Sequence, residues 1–221
     1  MRIGVLGLQG DVPEHRAALA RLVGPGSVVG VRRPSELEGI DGLLLPGGES
    51  TTLARLLRDT ELFAPLSARL AQGLPVLATC AGLILLAQRL EPGEGGDGPE
   101  TLHALDVTVR RNDYGRQIES FEAPLQIPSL RGGAFPGIFI RAPRIVAIGP
   151  GVERFAYLGK EVVGVRAGSL WGLTFHPELS GDLRLHAAWL GSVRTASAQR
   201  TKRNTATRSP SARLPARTAS Q

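Results

Sequence analysis

The sequence has a single cysteine, and it has no hydrophobic run near the roughly 18 residues that a membrane-spanning helix needs. One cysteine cannot form an intramolecular disulfide, and a free thiol suits a reducing compartment. Asp11 interrupts the first hydrophobic segment too early for a secretory signal peptide. We therefore expect a cytoplasmic protein that makes no membrane contact.

The end of the chain lacks acidic residues. All charged residues in the stretch 195–221 are basic, and they account for the net charge of +6. This stretch is rich in serine, threonine, alanine and proline and has almost no large hydrophobic side chains to offset the entropy cost of ordering. We predict a domain over residues 1–194 and a basic disordered tail over residues 195–221. Contact of the tail with nucleic acid or an acidic surface is the alternative to a merely solvated tail.

The rest of the sequence alternates short hydrophobic segments with helical patterns, in a chain of 221 residues that is 42% hydrophobic. This alternation predicts one α/β domain with a doubly wound, mostly parallel sheet flanked by helices. Ligand sites of such sheets lie at the carboxyl ends of the strands, where the pattern places Gly10, Gly48 and Cys80. The predicted strands of this sheet are 3–8, 27–31, 42–45, 75–78 and 170–175. Five helices are predicted: one after Asp11, one that begins at Thr51, one over 65–72, one after Cys80, and one over 183–190 that closes the domain.

The middle of the chain has a different pattern. After a glycine-rich loop at 91–100, alternating segments with β-branched residues follow one another. We interpret these segments as a partly antiparallel extension of the parallel sheet. They cover residues 105–109, 118–127, 137–140, 145–148 and 161–165.

Cys80 lies at the junction between two patterns. The hydrophobic run 75–78 predicts a strand buried on both faces, and leucines at helical spacing after Cys80 predict a helix. Such a turn pushes one side chain out at the end of the sheet and places the Ala81 N–H at a helix N-terminus, where partial positive charge favours a thiolate. Thr79 and Gly82 are small enough for a tight backbone. The pattern indicates a nucleophilic cysteine, and the alternative is a buried core thiol.

His176 and Glu178 are separated by one residue after the last predicted strand. In an extended segment this spacing puts both side chains on one face, and Pro177 disfavours a helix there. The pair suits a base and the carboxylate that orients it, with the imidazole taking the proton of the Cys80 thiol. The alternative is a structural histidine at a strand end.

The loop 46–50 contains paired glycines after a predicted strand. Glycines let the backbone approach a ligand, so Gly48 could form an oxyanion hole together with the Ala81 N–H. The alternative is a tight connection in which Ser50 caps the next helix. Arg111 and Arg141 could contact a substrate carboxylate, although unsupported arginines are usually surface charges.

Together these residues resemble the class I, or triad, glutamine amidotransferases, which have a strand–Cys–helix turn, an upstream Gly-Gly loop and a C-terminal His-x-Glu. More narrowly, residues 2–192 resemble the glutaminase subunits of pyridoxal 5'-phosphate synthases. The basic tail after Arg194 is unlike the short ending that is usual in this family, and the glycine-rich loop at 91–100 is longer than expected but contains none of the motifs. The segments that carry it are, in chain order, GVLGLQGD, LLLPGGESTT, TCAGLILLA, RNDYGRQIESFE, FIRAP and FHPEL.

The resemblance implies that Cys80 is the nucleophile, His176 the base and Glu178 its partner. The implied activity is hydrolysis of L-glutamine to glutamate and ammonia through a Cys80 thioester. The ammonia would go to a separate synthase subunit, in a hetero-oligomeric complex. The implied contacts to glutamine come from Gly48, Glu49, Ser50, Arg111, Ile140 and Arg141.

No metal and no bound cofactor are expected, because pyridoxal 5'-phosphate is the product of such a complex and no lysine has a context that argues for a Schiff base. Two other functions remain open. One is a stand-alone cysteine hydrolase or peptidase on a similar sheet, and the other is a non-catalytic regulatory subunit that retains the pocket.

Overall fold

The chain folds around a seven-stranded sheet in a computed structural model, which describes residues 1–92, 98–111 and 120–207 and side chains as far as residue 199. The strands that pair in parallel are β1 (Ile3–Leu6), β2 (Val28–Val31), β3 (Gly42–Leu45), β4 (Val76–Thr79) and β12 (Leu170–Leu173). Two further strands continue the sheet beyond β12: β11 (Glu161–Ala167) pairs antiparallel with β12, and β10 (Glu153–Leu158) pairs antiparallel with β11. The order is β10-β11-β12-β4-β3-β1-β2. This confirms the predicted mostly parallel sheet with a partly antiparallel extension.

Helices cover both faces of this sheet. They are α1 (Val12–Val23), α2 (Ser50–Asp59), α3 (Phe63–Ala71), α4 (Ala81–Leu86) and α5 (Arg184–Thr207). Leu43 and Leu45 of β3 lie in one hydrophobic core with leucines of α2, α3 and α4. Leu44 lies in the second core, with Leu19 of α1 and Trp189 of α5. Neighbouring strand residues face opposite cores, which is why these strands are continuous hydrophobic runs in the sequence. Among the described helices, none combines the length and hydrophobicity that a membrane span requires.

Strands in the middle of the chain form two further sheets. One contains β5 (Ala87–Leu90), β6 (Leu105–Arg110) and β9 (Arg144–Ile148), and the other is the hairpin of β7 (Ser120–Leu125) and β8 (Phe135–Ile140). Of the middle segments predicted to extend the main sheet, only the one that forms β11 joins it. Alternation identifies a strand with one buried face, but it does not identify the neighbouring strand.

Helix α4 is shorter than the leucine spacing predicts. It ends at Leu86, and the chain continues as β5, in which Ala87 pairs with Leu105 and Leu90 pairs with Val109 of β6. Pairing with β6 satisfies the backbone of this segment in an extended form, so tertiary contacts override the helical pattern.

Helix α5 continues beyond its predicted end at residue 190. Leu185, Trp189 and Val193 are fully buried and anchor the helix. Six of the fourteen residues 194–207 are alanine or arginine, which propagate a helix that has already formed. The helix therefore reaches Thr207 and enters the segment predicted to be a disordered tail, while residues 208–221 of that segment lie outside the described residues.

Candidate active site

Cys80 occupies the turn between β4 and α4. Its backbone has φ 47° and ψ −105°, which L-residues rarely adopt and which costs roughly 1–3 kcal/mol. The Cys80 N–H donates to Leu173 O in β12 at 2.9 Å. A Cβ on Gly82 would lie 2.3 Å from Leu45 O, so glycine is needed where α4 packs against β3. The strained turn directs the thiol toward Ile140 O at 3.9 Å and leaves the cysteine only 6% exposed.

His176 follows β12 and precedes a short 3₁₀ helix, Pro177–Leu179. The prediction of an extended segment was wrong here, because the fixed φ of Pro177 also suits the first position of a helical turn. The predicted pair forms all the same, with His176 Nδ1 2.8 Å from Glu178 Oε1. The His176 N–H donates to Ile138 O in β8 at 2.8 Å, which fixes the position of the turn.

Asp11 places a second carboxylate at the same imidazole nitrogen, and sequence reasoning did not select it. Its Oδ2 lies 3.1 Å from His176 Nδ1. Burial lowers the pKa of His176, but the side chains of Asp11, Cys80 and Glu178 outweigh burial and raise this pKa to about 12. Burial raises the pKa of Glu178, against the opposing effect of His176. The raised pKa keeps His176 protonated as an imidazolium at neutral pH.

The other imidazole nitrogen, His176 Nε2, is buried and has no hydrogen-bond partner in the described part of the chain. This leaves it free to exchange a proton with the thiol or a substrate; such contacts often tighten only when substrate binds. Asp11, His176 and Glu178 could each also offer one ligand atom to a metal ion, within 4.8 Å of one another. A metal ion there would compete with the bond between His176 and Glu178.

Two glycine-containing loops meet at the carboxyl ends of β1 and β3. Gly10 has φ 99° and Gly48 has φ 149°, both in the range that favours glycine. A Cβ on Gly10 would lie 1.7 Å from Gly47 O, and the Asp11 N–H donates to the same oxygen at 3.3 Å. Gly48 follows β3 and Ala81 follows β4, and these two strands are neighbours in the sheet. The two predicted oxyanion-hole donors therefore lie after adjacent strand ends.

Glu49 and Arg111, two of the predicted substrate contacts, lie together. Glu49 Oε1 is 3.6 Å from Arg111 Nη2, and Glu49 Oε2 accepts from the Thr52 N–H at 2.9 Å. Glu49 is thus the cap of α2, and Ser50, the predicted cap, is its first helical residue. The Glu49 N–H donates to Gln9 Oε1 at 3.0 Å, which ties the loop after β3 to the loop after β1.

Ile140 and Arg141, the remaining predicted contacts, lie at the end of β8. The Ile140 carbonyl is the acceptor near the Cys80 thiol, and Arg141 is exposed with φ 40°. The site therefore contains two non-glycine residues with positive φ, as is common where function requires a fixed geometry. Most of the RNDYGRQIESFE motif, residues 112–119, lies outside the described residues.

Two buried histidines lie behind Glu178. His15 Nδ1 of α1 is 3.2 Å from His186 Nε2 of α5. His15 Nε2 is 3.1 Å from Thr79 Oγ1 and 3.2 Å from Glu178 Oε2. Burial lowers the pKa of His15 well below its usual value and that of His186 to about 4, so both rings are neutral at pH 7. Sequence reasoning missed both, although a histidine on the hydrophobic face of a helix was an available signal.

We expect these histidines to destabilise the protein below pH 6.5. Each ring stays neutral in the folded state but is protonated in the unfolded chain, so the free energy of unfolding falls as the pH drops from 6.5 toward about 4. Within this pH range one such ring lowers the free energy of unfolding by about 1.4 kcal/mol for each pH unit. His186→Gln removes one titrating ring, so its loss of unfolding free energy between about pH 7.5 and about pH 5 should be about 2 kcal/mol smaller than in the parent. Urea denaturation at both pH values measures this.

Glu178 does not disturb this comparison. Its raised pKa acts in the opposite direction, since a carboxyl that protonates more readily when folded gains stability as the pH falls. This gain is present in both proteins and cancels in the difference. Equal losses in parent and variant would show that His186 does not titrate as its burial requires.

Comparisons with known proteins identify the family of this chain. The model of the SNO glutamine amidotransferase family matches residues 5–195. Pyridoxal 5'-phosphate synthase subunit PdxT of Thermotoga maritima is 50% identical over 194 residues, which are 88% of this chain and 100% of that protein. The subunit of the same name from Pyrococcus furiosus is 49% identical over 200 residues, 87% of this chain and 99% of the relative.

A solved structure described as a glutamine amidotransferase superposes with a TM-score of 0.80 at 42% identity, and the match covers 87% of this chain and 99% of that chain. The family match over residues 5–195 includes the positions of Cys80, His176 and Glu178. The chain belongs to the SNO glutamine amidotransferase family and has the class I glutamine amidotransferase fold.

Proposed function

We propose that this chain is the glutaminase subunit of a pyridoxal 5'-phosphate synthase. It hydrolyses L-glutamine to glutamate and ammonia and delivers the ammonia to a synthase subunit in a hetero-oligomeric complex. The observation that carries the proposal is the strained Cys80 beside a His176 that pairs with Glu178. The relatives named for this synthase favour it over a stand-alone hydrolase or a non-catalytic subunit.

In the first step the Cys80 thiolate attacks the side-chain amide carbon of glutamine. The electron pair of the C=O bond moves to oxygen, and the N–H groups of Gly48 and Ala81 stabilise the oxyanion. The His176 imidazolium gives its proton to the amide nitrogen as the C–N bond breaks. Ammonia leaves, and a thioester on Cys80 and a neutral His176 remain.

In the second step water attacks the thioester carbon. Neutral His176 takes the proton of the water, and a second oxyanion forms at the same place. Its collapse breaks the C–S bond, releases glutamate and restores the thiolate and the imidazolium. Glu178 accepts from Nδ1 throughout, which keeps the ring in one tautomer and one orientation.

Glutamine itself carries one charge of each sign on its α-carbon. The Arg111 and Arg141 guanidinium groups suit its α-carboxylate, and the Glu49 carboxylate and the Ile140 carbonyl suit its α-ammonium group. Ser50 is buried at the first turn of α2, beside the loop of Gly48. These contacts would anchor the end of the substrate that does not react, so that its amide reaches Cys80.

Reconstitution with a synthase subunit tests the proposal. With the other substrates of the synthase, the parent complex should form pyridoxal 5'-phosphate with glutamine as the nitrogen source. A complex that contains Cys80→Ala should form it only from an ammonium salt. Product from neither source with the variant, or no glutamine use by the parent, would reject the assignment; peptide cleavage by the parent would favour the hydrolase alternative.

Gly47→Ala should lower kcat/KM for glutamine hydrolysis by at least about tenfold, because overpacking displaces neighbouring groups. A Cβ on Gly47 would lie 2.4 Å from Cε1 of His176 and 2.9 Å from Asp11 Oδ2, so the imidazole must move. Gly30→Ala in β2 is the matched control, since a Cβ there has no neighbour within 4 Å. Steady-state ammonia release of both variants measures the effect, and a Gly47→Ala protein as active as the control would contradict the geometry.

A further inference from the structure

We propose that Asp11 is a positioning residue for the base, and that it shares with Glu178 the proton on His176 Nδ1. This inference rests on the proposed glutaminase reaction. A catalytic triad orients its imidazole with one carboxylate. Here Nδ1 lies 2.8 Å from Glu178 Oε1 and 3.1 Å from Asp11 Oδ2, and both distances are within hydrogen-bond range for an N–H group.

The position of Asp11 in α1 supports this role. Asp11 is the N-cap residue of α1, where an aspartate side chain normally accepts from a backbone N–H of the first turn. The Asp11 side chain makes no such capping bond, and its carboxylate lies at His176 instead. The main chain of Asp11 is fixed on both sides, since its N–H donates to Gly47 O at 3.3 Å and its carbonyl accepts from the His15 N–H at 3.2 Å.

The two carboxylates are in different surroundings. The Glu178 side chain is fully enclosed, whereas that of Asp11 is 33% exposed. Water can therefore solvate the Asp11 charge while one of its oxygens faces the imidazole. The titratable groups that face His176 in the described part of the chain are Asp11 from the loop after β1, His15 from α1, Cys80 from the turn after β4, and Glu178.

A second acceptor at Nδ1 has a clear consequence. Where one carboxylate orients the imidazole, its replacement by an amide allows the wrong tautomer and lowers kcat by about 10⁴-fold. With Asp11 in place, loss of the Glu178 charge still leaves an anionic acceptor that holds the proton on Nδ1. Replacement of one carboxylate therefore lowers kcat only modestly while the other carboxylate remains.

The kinetic test uses Asp11→Asn, Glu178→Gln and the double variant. Each single change should lower kcat by about tenfold with little change in KM, since the ring keeps one anionic acceptor. The double variant should approach the loss of about 10⁴-fold that is expected when no carboxylate remains. A double loss no larger than the product of the two single losses would overturn the shared role.

A second readout does not depend on turnover. In ¹⁵N NMR titrations of the full-length chain without glutamine, Asp11→Asn should lower the pKa of His176 by about 1–3 pH units, the usual effect of removing an adjacent opposite charge. Glu14→Gln removes an equal charge from the exposed surface of α1 and serves as the control, with no shift expected. An unchanged His176 pKa in Asp11→Asn would reject the proposal. If the parent releases no ammonia, the glutaminase assignment fails, and the titration still decides the role of Asp11.

Discussion

Cys80→Ala is expected to lower glutamine hydrolysis by about 10⁴-fold or more, the scale on which loss of a catalytic nucleophile acts. Every later bond change in the proposed reaction passes through the thioester on this sulfur. Alanine keeps the Cβ and the backbone of Cys80, including the N–H bond to Leu173 O, so the turn should form as in the parent. Ammonia release measures the loss, and thermal unfolding should show a nearly unchanged melting temperature.

Cys80→Ser is the matched control for this experiment. Serine preserves the shape of the side chain, but its hydroxyl is far more weakly acidic than a thiol, so an adjacent imidazolium cannot keep it ionised. We expect the serine variant to be inactive as well, which separates loss of the nucleophile from loss of volume. Ammonia release by Cys80→Ala at a rate near that of the parent would remove Cys80 from the proposed reaction.

Much of the fold could be predicted because a strand that is buried on both faces is a continuous hydrophobic run in the sequence. Residues 42–45 and 75–78 are continuous hydrophobic runs, and the structure places β3 and β4 there with neighbouring residues in opposite cores. The short helix α4 and the separate sheets were not predictable in this way. Strand β5 pairs with β6, β6 with β9, and β7 with β8, and no local pattern specifies these partners.

Some residues of the candidate site could likewise be predicted from the sequence, and others could not. Cys80, His176 and Glu178 could be selected because each stands at a junction between patterns or within a motif. Asp11 could not, because its role depends on the direction of one side chain at the start of α1. The burial of His15 could have been inferred from its place on the hydrophobic face of α1, but its contact with Glu178 joins residues 163 positions apart in the chain (178 − 15). Contacts between distant segments are set by the tertiary fold, which a motif read along the chain does not describe.

Docking of the synthase subunit is expected to raise the glutaminase rate of this chain by one to three orders of magnitude, an estimate from the roughly 10²- to 10³-fold cost of one missing oxyanion donor. The prediction rests on the proposed function and on the loops that follow β1 and β3. Gly10 and Gly48 have positive φ there, and glycine peptides can change orientation at little steric cost. Partner contact could therefore turn an N–H group toward the oxyanion.

Two contacts show how the loops are held in the isolated chain. The Glu49 N–H donates to Gln9 Oε1 at 3.0 Å, and a Cβ on Gly48 would lie 2.4 Å from that same oxygen. The loop after β3 therefore lies tightly against Gln9, and a partner that displaces the Gln9 side chain would release it. A subunit that produces ammonia only beside its acceptor wastes no glutamine, which gives such a contact a function.

Steady-state ammonia release from glutamine, with and without the synthase subunit, measures this gating. Cys80→Ala with the same partner is the control, since any ammonia released there comes from another source. Gln9→Ala should raise the rate of the isolated chain toward that of the complex, because it removes the carbonyl that holds the Glu49 N–H. An isolated parent chain that is as fast as the complex would refute gating, even with Cys80, His176 and Glu178 in the roles proposed for them.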